Sequence, residues 1–143
     1  MILLPQDAVE TIRAHGRKAY PEECCGALLG AVENGSARAA RAEPIANARR
    51  DERRRRYVID PEEYRRVEEL AVAQGLSLIG FYHSHPDHPA APSEYDREHA
   101  LPFFHYLVLA VAGGEARELT AWRLSEDRKT LDSEPLAVAN SGE

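Results

Sequence analysis

Between Pro5 and Ala19 apolar residues recur at helical spacing, with Ala8, Ile12, His15 and Ala19 on one stripe and Val9 widening it. The pattern predicts a first helix, weakened near its end by Gly16 and stopped by Pro21. Cys24 to Val32 is then continuously small and apolar, Asn34-Gly35 is a turn pair whose backbone matches the twist of paired strands, and Ser36 to Ile45 can return. This is a β-hairpin, although the alanines and arginines of its second arm are weak strand formers. Gly26 and Gly30 inside the first arm mark a bulge or a close approach of the backbone to something else.

Tyr57-Val58-Ile59 is a short strand candidate. Asp60-Pro61-Glu62-Glu63 supplies an N-cap, a proline at the first helical position and acids in the first turn. A second helix is expected through about Gln74, with Tyr64, Val67, Leu70 and Ala71 on its apolar side and Gly75 placed to end it. Leu76 to His85 is apolar without clean alternation, the pattern of a strand covered on both faces. Ser93 opens a short third helix through about Ala100, limited by Pro102. Phe104 to Val111 reads as a strand, Gly113-Gly114 as a turn and Arg117 to Leu124 as the partner strand. Residues 125–134 read as a polar loop and Leu136 to Ala139 as a last short strand. With no repeat, linker or low-complexity segment, one α+β domain over residues 1–143, polar from about 125 onward, is the simplest account.

Composition narrows the class. A chain of 143 residues suits one core, and a formal net charge of -6 gives no global case for nucleic-acid binding. No apolar run approaches the roughly 18 residues of a membrane helix. The start, MILLPQDAVE, lacks the basic region and long apolar stretch of a signal peptide, so a cytoplasmic protein without membrane attachment is expected. Cys24 and Cys25 are adjacent and are the only cysteines, which excludes a disulfide framework and favours packing. Residues 49–56, RRDERRRR, hold six arginines in eight positions. Such a run is a solvated loop or, through bidentate contacts, a dock for an acidic surface or a carboxylate tail.

The candidate chemistry lies in residues 83–96, HSHPDHPAAPSEYD. A strand continuing through His85 puts His83 and His85 on one face, with Ser84 on the other. Asp96 can add an anionic third ligand. Three protein ligands leave a position for water, the pattern of a catalytic rather than a structural zinc. His88 lies in the proline-rich bend but would exceed that set; His99 and His105 are expected at the surface or in packing. Hydrolysis also needs a base and a donor for the developing oxyanion. Ser93 is close enough to Asp96 to be the donor, and the same Ser-x-x-Asp pattern caps a helix. For the base, Glu22 and Glu23 are both open on spacing alone.

His-Ser-His, seven residues, then Ser-x-x-Asp resembles the signature of the JAMM (MPN-plus) metallopeptidases. Their upstream element, a glutamate before x-Cys-Gly, reads here as Glu23-Cys24-Cys25-Gly26 and selects Glu23 over Glu22. The likeness extends to PEECCGALLG, Asn47, IDPEEY and GFYHSHPDHPAAPSEYD, covering most of residues 5–125, and is to the small stand-alone bacterial members. It implies a JAMM/MPN fold similar to cytidine deaminases, a curved mixed sheet packed with about three helices. It implies Zn²⁺ held by His83, His85 and Asp96, Glu23 as general base and Ser93 as the group stabilising the tetrahedral intermediate. It also implies a substrate: the Gly-Gly tail of a ubiquitin-like sulfur-carrier protein, or its C-terminal adduct, cleaved at a peptide or isopeptide bond. The alternative is a non-catalytic MPN-type protein-binding module. A zinc deaminase is set aside because its H-x-E and P-C-x-x-C ligand pattern is absent. A DNA-repair relative is set aside because the chain leaves no length for a helical DNA-binding portion.

Overall fold

The structure is a computed structural model that describes residues 1–54 and 56–139. Its elements run β1 (Ile2–Pro5), α1 (Gln6–Ala19), β2 (Cys25–Glu33), β3 (Ser36–Ile45), α2 (Pro61–Ala73), β4 (Ser77–Pro86), α3 (Glu94–His99), β5 (His105–Ala112), β6 (Glu115–Leu124), β7 (Leu131–Glu134) and β8 (Leu136–Ala139). Among the described residues the strands form one mixed sheet in the order β7-β6-β5-β4-β2-β3-β1-β8. β4 and β5 are parallel, as are β1 with β3 and with β8; the remaining pairs are antiparallel. The two edge strands are consecutive in the chain and Pro135 alone separates them, so the sheet curls nearly into a barrel. The Pro135 carbonyl accepts a hydrogen bond from Ile2 N (3.0 Å) at this seam.

Strand periodicity divides the core between two faces. Cys24, Leu28 and Tyr82 pack with Ala8, Val9 and Ile12 of α1 on one side. Cys25, Ala27, Leu29 and Phe81 pack with Val67 and Ala71 of α2 on the other. The adjacent cysteines therefore point to opposite cores, both buried and both free. β4 is buried from Ile79 to Pro86, as a strand covered on both faces must be. Gly16, which weakens the helical pattern, lets α1 lie close on β5: a Cβ there would stand 2.6 Å from Leu109 Cδ2.

Both readings of the strand glycines hold. The β2–β3 register shifts between Leu29 and Gly30, and a Cβ on Gly26 would collide with the Tyr82 ring at 2.1 Å. Asp60 caps α2 by accepting from Glu62 N (2.8 Å), and Gly75 follows its end at φ +70.

Three features differ from expectation. Ile2–Pro5 is a strand, too short to show a period in sequence. Leu131–Glu134 is an edge strand within the segment expected to be a loop, its polar residues tolerated because one side faces solvent. Tyr57–Ile59 is not a strand: its aromatic and β-branched residues wall a pocket against α2 and α3 instead of joining the sheet.

Candidate metal centre

β4 carries His83 and His85 out on the α2 side of the sheet, each anchored by β5 through the His83–Val108 and His85–Ala110 pairs. Asp96 comes from the first turn of α3. Ser93 is the N-cap of that helix: its Oγ accepts from Asp96 N (3.1 Å), and its N donates to Asp96 Oδ2 (2.9 Å). This reciprocal cap fixes the aspartate against the histidines. His83 Nε2 lies 3.2 Å from His85 Nε2, and Asp96 Oδ2 lies 3.0 and 3.1 Å from the two nitrogens.

Among the described residues these three side chains form a group whose ligand atoms lie close enough together that they could hold a metal ion. Their mutual spacing fits a cation. Bonds of about 2.0 Å in tetrahedral geometry separate ligand atoms by about 3.3 Å. A second observation agrees: His85 Nδ1 lies 3.1 Å from the Pro89 carbonyl, which as acceptor holds the Nδ1 proton, so that in the neutral ring Nε2 is the nitrogen left to face the cluster with its lone pair. His83 is braced differently, by the Tyr57 ring stacked on it at 4.8 Å between centroids. Burial acts to raise the Asp96 carboxyl, but the His83 and His85 imidazoles hold it well below the usual carboxylate range. Burial likewise acts to lower His85, and the bond and charge of Asp96 overcome it and raise it.

Glu23 sits just before β2 and is 4% exposed. Its backbone N donates to Arg53 O (2.6 Å), while Asn47 Nδ2 donates to its carbonyl (3.3 Å). Its Oε1 is buried without a hydrogen-bond partner among the described residues. Burial pushes its carboxyl up to about 8, with His85 opposing and Asp96 adding to the rise. Glu23, His85 and Ser93 line one groove of about 450 Å³, together with Arg56, His88, Pro89, Ala91, Glu94 and Tyr95. Glu22 lies elsewhere, lining a depression with Arg50, Asp51, Glu52, Arg53 and Arg54. A buried carboxylate aimed at a groove beside two imidazoles is positioned to move protons, and the Ser93 hydroxyl, its oxygen already accepting from Asp96 N, keeps its O–H to donate.

Other candidates fall outside the cluster. Ser84 faces away and its Oγ accepts from Cys24 N (2.8 Å), tying β2 to β4 directly behind Glu23. Cys25 Sγ lies 3.7 Å from the Ile45 carbonyl, and burial raises its thiol far above the ordinary range. His88 lines the groove only. His99 stacks on Tyr95 at 4.0 Å, and His105 is buried against Glu134 Oε1 at 2.5 Å.

Asn47 is the residue whose role the sequence pattern does not convey. Besides the Glu23 carbonyl, its Nδ2 reaches Arg56 O (3.1 Å), and its Oδ1 accepts from Arg49 N (3.0 Å) and Val58 N (3.1 Å). One amide thus closes the arginine loop and pins it to Glu23. Arg55 of that loop lies outside the described residues.

A curled mixed sheet that presents paired strand-end histidines to a helix-capping aspartate has the architecture of the JAB/MPN domains. The chain belongs to the Prok-JAB family, described as prokaryotic homologs of the JAB domain, whose profile matches residues 5–125. It is 36% identical over 115 residues to the desampylase of Haloferax volcanii, covering 77% of this chain and 81% of that one. It is 30% identical over 139 residues to the CysO-cysteine peptidase of Mycobacterium tuberculosis, covering 96% and 91%. Among solved structures, a protein from Desulfitobacterium hafniense superposes with a TM-score of 0.86 at 26% identity, covering 99% of this chain and 94% of that one. A JAB1/MPN domain protein from Archaeoglobus fulgidus shares the fold at a TM-score of 0.61 and 17% identity, over 96% and 98% of the two chains. No helix among the described residues is long and apolar enough to cross a membrane.

Proposed function

We propose that the protein is a zinc-dependent peptidase or isopeptidase. It hydrolyses the amide bond that follows the C-terminal Gly-Gly of a ubiquitin-like sulfur-carrier protein, and works in the cytoplasm as a single domain. The observation that carries this reading is the convergence of His83, His85 and Asp96 within 3.2 Å of one another beside a groove lined by Glu23, His85 and Ser93. The family membership and the two named peptidase relatives support the same reaction class.

His83 Nε2, His85 Nε2 and Asp96 Oδ2 would hold the ion. When bound, zinc supplies Lewis acidity to the attacking water and to the scissile carbonyl. The chain's own residues do the rest. Glu23 takes a proton from the water as its oxygen bonds to the carbonyl carbon, and Ser93 Oγ–H donates to the oxyanion that results. Glu23 then gives the proton to the departing nitrogen as the C–N bond breaks, leaving a Gly-Gly carboxylate and a free amine.

The test is metal content together with cleavage. Protein prepared without chelators should carry one equivalent of zinc, lost in His83→Ala and Asp96→Ala, and should trim carriers extended beyond Gly-Gly. Metal-free protein that binds such carriers without cutting them would support the binding-module alternative instead.

A further inference from the structure

The proposed chemistry uses none of the arginine run at 49–56, and the structure sorts its members. Arg49 and Arg56 are half-buried and engaged: Arg49 by Asp51 (3.1 Å) and Glu52 (3.0 Å), Arg56 by Glu52 (3.3 Å) and by the face of the Tyr95 ring. Arg50, Arg53 and Arg54 are exposed and line a depression with Glu22. Arg53 faces Glu22 at 4.0 Å, while Arg50 and Arg54 make no ion pair among the described residues.

These three guanidinium groups stand on a fixed backbone. Asn47 holds the loop at Arg49 N (3.0 Å) and Arg56 O (3.1 Å), and Arg56 N donates to Glu52 O (3.0 Å). Arg53 O accepts from Glu23 N (2.6 Å). That bond sets the arginines against the site. Glu22 lines the depression and Glu23 the groove beside the metal cluster, and the loop passes from Arg53 in the one to Arg56 in the other. The depression therefore begins one residue from the candidate base.

Charge gives this surface its direction. Six of the chain's 18 Lys and Arg residues fall in these eight positions, while the chain as a whole carries -6. An acidic partner is repelled by the average surface and drawn to this one. A substrate tail advances roughly 3.3–3.6 Å per residue, so a folded body a few residues behind the scissile bond rests on the rim of the groove. A nucleic acid fits the depression less well, because Glu22, Asp51 and Glu52 interrupt the arginines there. That mixture answers the scattered carboxylates of a protein face better than a continuous phosphate track.

We propose that Arg50, Arg53 and Arg54 dock an acidic face of the folded ubiquitin-like carrier while its tail enters the groove. The proposal rests on the peptidase reading and names how its substrate is held. Charges at an exposed rim act mainly on encounter, so docking belongs to kcat/KM on a folded substrate.

Two substrates with the same extended Gly-Gly tail decide the matter: the folded carrier from the same genome, and a short peptide of otherwise neutral residues. Raising ionic strength from about 0.01 M to about 0.15 M shortens the screening length from about 30 Å to about 8 Å. With zinc-loaded wild type, kcat/KM on the carrier should fall about tenfold or more over that range, and on the peptide far less. At low salt, the double variant Arg50→Ser, Arg54→Ser should show a carrier-to-peptide ratio about tenfold below wild type. Arg50→Lys with Arg54→Lys should restore that ratio, because charge does the steering. Equal salt dependence on the two wild-type substrates, a ratio that the serines leave unmoved, or one that the lysines do not restore overturns the proposal.

Carrier affinity for zinc-loaded Glu23→Gln protein at the two salt concentrations gives the same comparison without turnover. Salt-sensitive binding that the serines abolish, with no cleavage by the wild type, removes the peptidase reading and leaves the docking surface standing. Cleavage with salt-insensitive binding does the reverse. A single-stranded oligonucleotide that binds through these arginines, while carrier affinity ignores them, assigns the surface to nucleic acid and overturns the proposal.

Discussion

Asn47 Nδ2 donates to the backbone carbonyl of Glu23 at 3.3 Å, so the arginine loop and the candidate base are held by one side chain. The same nitrogen holds Arg56 O, while Oδ1 holds the Arg49 and Val58 amides. The residue after Arg56, Tyr57, stacks on His83. Loosening Asn47 therefore reaches the candidate base and a candidate metal-ligand imidazole together.

Asn47→Asp separates the two halves of that clasp. Aspartate keeps an acceptor for Arg49 N and Val58 N but sets an oxygen against the carbonyls of Glu23 and Arg56. The expected result is a folded, zinc-binding protein whose kcat falls about tenfold or more, with a smaller change in KM, since an unmatched buried polar contact costs about 1–3 kcal/mol. Steady-state kinetics beside metal content checks this. Unchanged kcat would mean that Glu23 does not depend on the loop.

Ser93 caps α3, and the oxyanion role proposed for it can be pulled apart from that cap by different substitutions. Ser93→Ala removes both the cap and the hydroxyl donor, with an expected loss of about 1 kcal/mol of stability and about a hundredfold in kcat. Ser93→Asp keeps a capping oxygen for Asp96 N but has no proton to donate, and its negative charge faces the groove. Stability near wild type with turnover still lost is the expected pattern. Full activity in Ser93→Asp would remove the serine from oxyanion stabilisation.

The pH dependence of folding should report the buried His105–Glu134 pair, which joins β5 to the edge strand β7. Burial acts to raise the Glu134 carboxyl, but the hydrogen bond and charge of His105 hold it below its ordinary value of 4.5. A carboxylate lowered in the folded state binds fewer protons there than in the unfolded chain. Its contribution is therefore complete above 4.5 and is lost as the pH falls through the depressed folded value. Urea midpoints taken down the acid limb should fall more steeply for the wild type than for Glu134→Gln. Parallel slopes would show that the pair does not stabilise the fold.

Gly26 tests the packing behind the site. An alanine there would drive Cβ into the Tyr82 ring, which is fully buried and whose Oη lies 2.7 Å from His15 Nδ1. Gly26→Ala should cost about 2 kcal/mol, and Tyr82→Leu in the same chain should recover part of it. Denaturant unfolding of the single and double variants checks the coupling; simple additivity would contradict it.

The local parts of this fold were legible. Asn34-Gly35 marked the hairpin, Asp60-Pro61 the start of α2, and Ser93-x-x-Asp96 both a helix cap and a candidate metal ligand, because each signal acts over a few residues. What stayed hidden was long-range. The four residues of β1 carry no readable period, and β7 is polar because it is an edge. That both close one sheet depends on Pro135 meeting Ile2 across the whole chain. Tyr57 to Ile59 misled because strand propensity measures fitness for a half-buried surface, which a pocket wall also offers. In the site, spacing left the base open between Glu22 and Glu23, and only the family likeness chose; the groove that holds Glu23 with His85 and Ser93 is where the structure puts the chosen residue. Asn47 was visible as a matching position, but its four hydrogen bonds join segments that no local pattern connects.

The central claim is hydrolysis after Gly-Gly by zinc and Glu23, and mass spectrometry of a carrier extended beyond Gly-Gly tests it most directly. The zinc-loaded wild type should release a carrier ending at Gly-Gly with one oxygen from solvent water in its new carboxylate. Glu23→Gln, carrying the same zinc, should leave the carrier intact. An uncut carrier with the wild type, a cut at another bond, or undiminished cleavage by Glu23→Gln would contradict the account.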